Sequence, residues 1–241
     1  NSNDKTLKIC REICKEKKNV KIIKNPVNIG AQKNIVKILN LAKGKFFVWV
    51  SQDDFYEKEF LEDLVAIYQK DTESILIGCG VKVFDDYGKK KTYQSITKKV
   101  LKKSNIEISK DIITKKVLKG EKIKAYLIMG VMKTDILKEI FIINDKPLLN
   151  IERIIISMFP FYGKIGYTNK VLVNKYSNPL PLFKRPERKH DECMILKKNV
   201  KFPTIFNFKI MFFTALKSDS LSLIAKLSIF KVAIYYFFKC Q

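Results

Sequence analysis

The chain has 241 residues, 46% of them hydrophobic. That is enough for one domain with a core, or one domain with an appendage, and it excludes disorder as the overall state. Its 47 Lys and Arg against 24 Asp and Glu give a formal charge of +23, which favours anionic partners such as nucleotides, nucleic acid or acidic lipid. Lys, Ile and Asn are all abundant, so a drift in overall composition produces the same excess.

The predicted elements begin with a helix. Ser2, Asn3 and Asp4 are candidate N-caps, and Leu7, Cys10, Ile13 and Cys14 recur at helical spacing up to the lysine cluster at 15–18. NVKII (19–23) reads as a short strand and NPVNIG (25–30) as a loop. Helical spacing returns over 31–42 through Ile35, Ile38, Leu39 and Ala42, with Gly44 placed to end the helix. Phe46 to Val50 is a continuous apolar run, expected to be a central strand covered on both faces, with Trp49 in the core. It stops at Asp53 and Asp54. A helix over 57–70 and a buried strand over 74–81 follow. This alternation implies a mostly parallel sheet, in which ligands bind beyond the carboxyl ends of the strands.

DDYGKKK (85–91) reads as a turn, and the lysine-rich stretch 98–124 as an irregular insertion with a short helix and solvated charges. Order returns at 125–140, at 149–163 and in the strand-like KVLVNKY (170–176). A basic loop, FKRPERKH (183–190), contains the sole histidine, His190, in a setting where solvation is the default. Residues 205–216 and 221–240 are rich in Ile, Leu and Phe. Lys226 and Lys231 interrupt the second segment, so a transmembrane helix is not expected. Those two lysines are about 140° apart on a helix, whereas Lys209 and Lys217 share a face. The tail reads either as a membrane-surface or partner-docking element or as a packed terminal hairpin. The sequence starts at Asn1 rather than Met and has no signal-peptide pattern, so a trimmed or partial chain is expected.

Five cysteines (10, 14, 79, 193 and 240) form no CxxC pair, which suits a reducing compartment better than a disulfide framework. Cys10 and Cys14 lack a second ligand pair and read as small core residues rather than metal ligands.

Two adjacent carboxylates where a strand ends are costly unless they hold something. Mg²⁺ or Mn²⁺ in nucleotide sites commonly takes one or two carboxylates and leaves its other positions to phosphates and water. QDD alone is a weak signal, since Asp85 and Asp86 are also adjacent and a turn explains them. The ordered set is more specific. SNDKT (2–6), NPVNIGAQKN (25–34), FFVWV with SQDD (46–54), GVMKTDIL (130–137), the run from Glu152 to Gly163, and VNKYSN (173–178) together resemble the family 2 glycosyltransferases over residues 1 to about 180.

That resemblance implies a GT-A fold: an α/β, Rossmann-like three-layer sandwich with a mostly parallel central sheet. Residues 1–180 would form it, with a nucleotide half (about 1–84) and an acceptor half (about 85–180), and residues 181–241 would add a basic loop and hydrophobic C-terminal helices. It implies transfer, with inversion, from a nucleotide sugar to a hydroxyl of a glycan, polysaccharide or lipid-linked acceptor. By the same resemblance Asp53 and Asp54 would hold the divalent metal and sugar phosphates, Asp53 foremost. Asp4, Asn28 and Asn34 would lie near the nucleoside, Lys33 near the base or phosphates, and Glu152 would be the general base. The cysteine usage points to a cytoplasmic setting, the membrane-surface reading of the tail would make the chain peripheral on the inner face of a membrane, and no nucleic-acid partner is expected.

The sequence departs from the family pattern at Ser51, where many relatives have Asp, and at Glu152, where Asp is usual and Arg153 follows. The first strand and the acid ending the second are missing. Plainer roles stay open: Asp4 as a helix cap, Asn28 as a turn residue, Glu152 with Arg153 as a surface pair. Two other functions compete, a non-catalytic binder of nucleic acid or anionic surfaces and a nucleotidyltransferase.

Overall fold

In the computed structural model, the structure describes residues 4–88, 90–114, 117–118, 121–122, 125–141, 151–177 and 203–239. Ser2, Asn3, the basic loop 183–190 with His190, Cys193 and Cys240 lie outside the described residues.

The two longest strands fix the architecture. Strand β3 (Ser74–Phe84) and strand β8 (Lys164–Tyr176) pair in parallel along most of their length. Strand β7 (Val131–Lys133) pairs antiparallel with β3, and strand β1 (Phe46–Val48) antiparallel with β7. On the far side, strand β2 (Asp54–Tyr56) pairs antiparallel with β8, giving the order β1-β7-β3-β8-β2. Strand β4 (Lys90–Gln94) returns along β3 as a hairpin. Its turn is closed by Asp85, which accepts from the Tyr87 and Gly88 amides, and by Gly88 at φ +71°. A small hairpin of β5 (Val117–Leu118) and β6 (Glu121–Lys122) stands apart.

The expectation of a mostly parallel sheet is therefore corrected: among the described residues only the β3–β8 pairing is parallel. Two of the antiparallel pairings arise from the short β7, which enters between β1 and β3. It can do so because Gly130 precedes it; a Cβ there would stand 2.2 Å from the Ile77 carbonyl oxygen. The expected central position of 46–50 is corrected too, because β1 ends the strand order among the described residues. Residues 19–23, expected to be a strand, form no ladder, and Val20, Ile22 and Ile23 are exposed. Apolar character makes a strand only where a neighbour takes its backbone hydrogen bonds.

Both faces of the sheet are covered. Helix α3 (Phe60–Lys70) sends Phe60 and Leu64 against Ile77, Cys79, Val81 and Val173. The other face packs a larger core drawn from α2 (Ala31–Leu41), α5 (Asn105–Thr114), α6 (Thr134–Ile140) and α7 (Ile151–Met158). The short α4 (Lys98–Leu101) and α5 lie in the stretch expected to be irregular. They bury Val100, Ile108, Ile112 and Ile113, and Lys103 pairs with the buried Asp111. Helix α1 (Thr6–Cys14) buries no residue, and the free Cys10 and Cys14 are half-buried on it. Helices α8 (Pro203–Lys217) and α9 (Leu223–Lys239) form a hairpin whose inner residues, among them Ile210, Met211, Ile229 and Val232, join the larger core. Its turn is fastened by Glu139, which accepts from the Ser218 and Ser220 hydroxyls.

Candidate active site

Strand β1 ends at Val48, and residues 49–53 carry the chain from one end of the strand order to β2 at the other. The sheet curls enough for the Tyr56 hydroxyl to donate back to the Trp49 carbonyl (3.0 Å). The connection closes one side of a cleft of about 460 Å³, lined by Ile35, Trp49, Ser51, Asp54, Tyr126, Ile128, Met129, Phe141, Ile151, Glu152, Arg153, Ile155 and Lys175. It opens at the carboxyl end of β8, where ligands of α/β sheets bind. A larger hollow of about 1140 Å³ lies at the amino ends of β3 and β8. It holds none of the sequence-predicted site residues, and its Asp71 and Glu73 are paired with Lys164.

Asp54 is the first residue of β2, and the antiparallel register sets it opposite Lys175 of β8. Its side chain is 1% exposed and that of Lys175 31%. The Lys175 ammonium donates to both carboxylate oxygens (3.3 and 3.4 Å), and the Tyr176 amide donates to Oδ1 (3.2 Å). Asp53 is exposed beside it and accepts from the Ser51 hydroxyl (2.5 Å). Glu152 enters the cleft from the first turn of α7, while the Arg153 guanidinium donates to the Ile112 carbonyl of α5 (2.9 Å). Burial, reinforced by the Asp54 charge, pushes the Tyr56 hydroxyl up to about 12; burial, then the neighbouring Tyr93 and Asp54, does the same to Tyr126. Both therefore remain neutral hydroxyls at physiological pH.

The remaining predicted residues stand on the segment before β1. Asp4 accepts from the Thr6 amide at the start of α1 (2.9 Å), and hydrogen bonding by the Thr6 hydroxyl first, then by its amide, lowers the Asp4 carboxyl below the usual range. Asn28 accepts from the Gly30 amide (3.0 Å), supporting a turn in which Gly30 has φ +76°. Asn34 accepts from Asn25 (2.8 Å), whose own oxygen accepts from Lys37 (2.7 Å), and Lys33 is exposed. None of these four lines the cleft, whereas Asp54 and Glu152 both do. Lys133 of the GVMK segment lies away from it, over the Tyr68 ring (5.3 Å). Lys175 and Tyr126 escaped the sequence reading, because cross-strand register and a 3₁₀ turn (Ala125–Met129) bring them in rather than a motif. Trp49, expected in the core, packs against Phe47 and Phe141 and also lines the cleft.

Among the described residues no three metal-ligating side chains cluster, so an all-protein cage is absent there. A buried carboxylate with a second one adjacent does fit a cation that shares its remaining positions with phosphate and water.

A sheet covered on both faces, with carboxylates at a strand terminus and on a facing helix, is the setting of a nucleotide-handling α/β enzyme. The family comparison sharpens this: the model for glycosyl transferase family 2 matches residues 1–141, and the chain belongs to that family. No curated protein matches it. Among solved structures it is similar to S. aureus TarS 1–349, with 20% identity over 99% of this chain and 60% of that one and a TM-score of 0.58. It is also similar to the same protein in complex with UDP-GlcNAc, with 20% identity over 98% of this chain and 61% of that one and a TM-score of 0.59. The chain thus spans about three fifths of those structures, and at this identity the likeness is one of fold.

Proposed function

We propose that the chain carries the donor-binding and catalytic parts of an inverting glycosyltransferase. It would move a sugar from a nucleoside diphosphate to a hydroxyl of a glycan, polysaccharide or lipid-linked acceptor. The observation that carries this reading is the meeting of Asp54 and Glu152, from distant parts of the sequence, in one cleft. The likeness to a protein solved with UDP-GlcNAc supports a nucleotide-sugar donor.

In this reading the diphosphate lies at the Asp54 end. Asp54, with Asp53 beside it, would hold Mg²⁺ or Mn²⁺, which supplies neutralisation of the charge that develops on the departing diphosphate. Lys175 offers a second positive group at that end. Glu152 accepts the proton of the acceptor hydroxyl as its oxygen bonds to the anomeric carbon. The bond from that carbon to the diphosphate oxygen breaks in the same displacement, its electron pair leaves with the nucleotide, and the configuration inverts. Trp49, Ile128 and Phe141 give the cleft apolar walls that limit water, the competing acceptor. Asp4, Asn28, Lys33 and Asn34 are assigned to the nucleoside side on the family resemblance alone.

Trp49 is the chain's sole tryptophan and lines the cleft, so its emission reports binding. Titration with uridine, guanosine and thymidine diphosphates should show one preferred nucleotide whose affinity rises with Mn²⁺. Asp54→Ala should remove the metal dependence, and Asp53→Ala should weaken it less. Binding that ignores both Mn²⁺ and Asp54→Ala while falling steeply with salt would instead mark a non-catalytic polyanion binder.

A further inference from the structure

Helix α9 wears its apolar residues on the wrong side for a helix facing water. Ile229, Val232 and Ala233 are buried against the domain, as expected of an inner face. Yet Leu223, Ile224, Leu227, Ile234 and Phe238 are exposed, from 47% at Ile234 to 78% at Ile224. At about 100° per residue these five fall within an arc of about 100°, opposite the buried set. A solvated helix shows polar residues there. Helix α8 continues the surface, with Phe213 and Leu216 exposed in the same arc as Lys209 and Lys217. Lys231 lies inside the α9 arc and is exposed. Across 203–239 the only carboxylate is Asp219. No helix among the described residues is long and apolar enough to cross a membrane.

We propose that this outer face docks on an anionic lipid surface. The α8–α9 hairpin would lie in the plane of the interface, with the apolar row reaching the acyl boundary and Lys209, Lys217 and Lys231 among the headgroups. Charge selects this occupant. A second copy of the same face would oppose lysines with lysines, whereas anionic headgroups complement them. A nucleic acid would pair with the lysines but leave the apolar row uncovered. The hairpin packs on α5 and α7, with Lys110 over the Tyr235 ring (4.5 Å), so docking would hold the cleft-bearing helix α7 at a fixed height above the lipid. The inference stands on the hairpin alone and does not depend on the glycosyltransferase reading.

The test is co-sedimentation of the whole chain with vesicles of phosphatidylcholine, alone or with about 30 mol% phosphatidylserine. Partition should be strong only with the anionic vesicles. It should fall about ten-fold or more in Ile224→Ser/Leu227→Ser/Phe238→Ser and about five-fold for each of Lys209→Gln, Lys217→Gln and Lys231→Gln. The substituted apolar positions are exposed, and unchanged Trp49 emission would show that each variant is folded. Equal pelleting of the parent and the triple-serine variant, or no preference for anionic vesicles, overturns the proposal. So does a dimer in light scattering that the serine substitutions dissociate, which would give the face to a second copy.

Discussion

Replacing Lys175 by Met tests the electrostatics on which the cleft depends. The Asp54 side chain is 1% exposed, and its described donors are the Lys175 ammonium, at 3.3 and 3.4 Å, and the Tyr176 amide, at 3.2 Å. Losing the ammonium leaves a buried carboxylate on a single backbone donor. Breaking a fully buried pair costs about 3–5 kcal/mol. Lys175 is nearly a third exposed and its contacts are long, so solvent screening reduces the expected loss to about 2 kcal/mol. The reverse change is milder. Asp54→Asn keeps the volume and leaves Lys175 able to reach water, so about 1 kcal/mol or less is expected. Urea unfolding followed by Trp49 emission would read the difference as a midpoint shift of about 1 M for Lys175→Met. Mn²⁺ with a nucleoside diphosphate at about 100 times its dissociation constant should return about 2.7 kcal/mol to that variant. Asp54→Asn proving as damaging as Lys175→Met, or metal and nucleotide stabilising Asp54→Ala as much as the parent, would refute this role for the pair.

The other predictions use the same readouts. Glu152→Gln should lower the transfer rate about 10²- to 10⁴-fold while leaving nucleotide affinity by Trp49 titration unchanged; equal losses in both would make Glu152 a binding residue. Gly130→Ala should cost about 1–3 kcal/mol in urea unfolding, since the new Cβ would meet the Ile77 carbonyl oxygen at 2.2 Å and its carbon at 3.0 Å. Burial first, in each case, raises Tyr56, Tyr126 and Tyr162 to about 12. Because these folded values exceed the unfolded value of about 10, their stabilising contribution is complete below pH 10 and is lost as pH rises from 10 to 12. Unfolding midpoints at pH 8, 10 and 11 would record that decline, and Tyr56→Phe should make it shallower.

The local features of this sequence were readable because they rest on nearest neighbours along the chain. The helix starting at Ala31, the Asp85 turn and the buried strand from Ser74 each carry their own spacing and punctuation. Sheet order was not readable in the same way. β7 is three residues long, and its insertion between β1 and β3 turns on a glycine whose importance lies in the approach of Ile77, far away in sequence. The stretch 98–124 misled through its lysines. Isoleucines at 108, 112 and 113 face the core there, and even Asp111 is buried with Lys103 as its partner, so composition concealed a buried side. Within the cleft, Asp54 and Glu152 could be singled out by family pattern, but the partner that balances Asp54 could not. Lys175 is selected by the β2–β8 register, and no local signal in VNKYSN separates it from any other lysine of a half-exposed strand.

The departure at Ser51 now has a physical consequence. A serine supplies no charge to a cation, but its hydroxyl donates to Asp53 and occupies one of that carboxylate's oxygens at the rim. Asp54 is then the carboxylate inside the cleft, and it is already balanced by Lys175. A divalent ion arriving alone would face one engaged carboxylate and one exposed one, a weak site by the standards of oxygen-ligand cages. A diphosphate changes this, since its oxygens supply further ligands and its charge gives the Lys175 ammonium a second anion to meet. Cation and nucleotide should therefore bind with positive coupling. By linkage, whatever factor the nucleotide adds to cation affinity, the cation must add to nucleotide affinity.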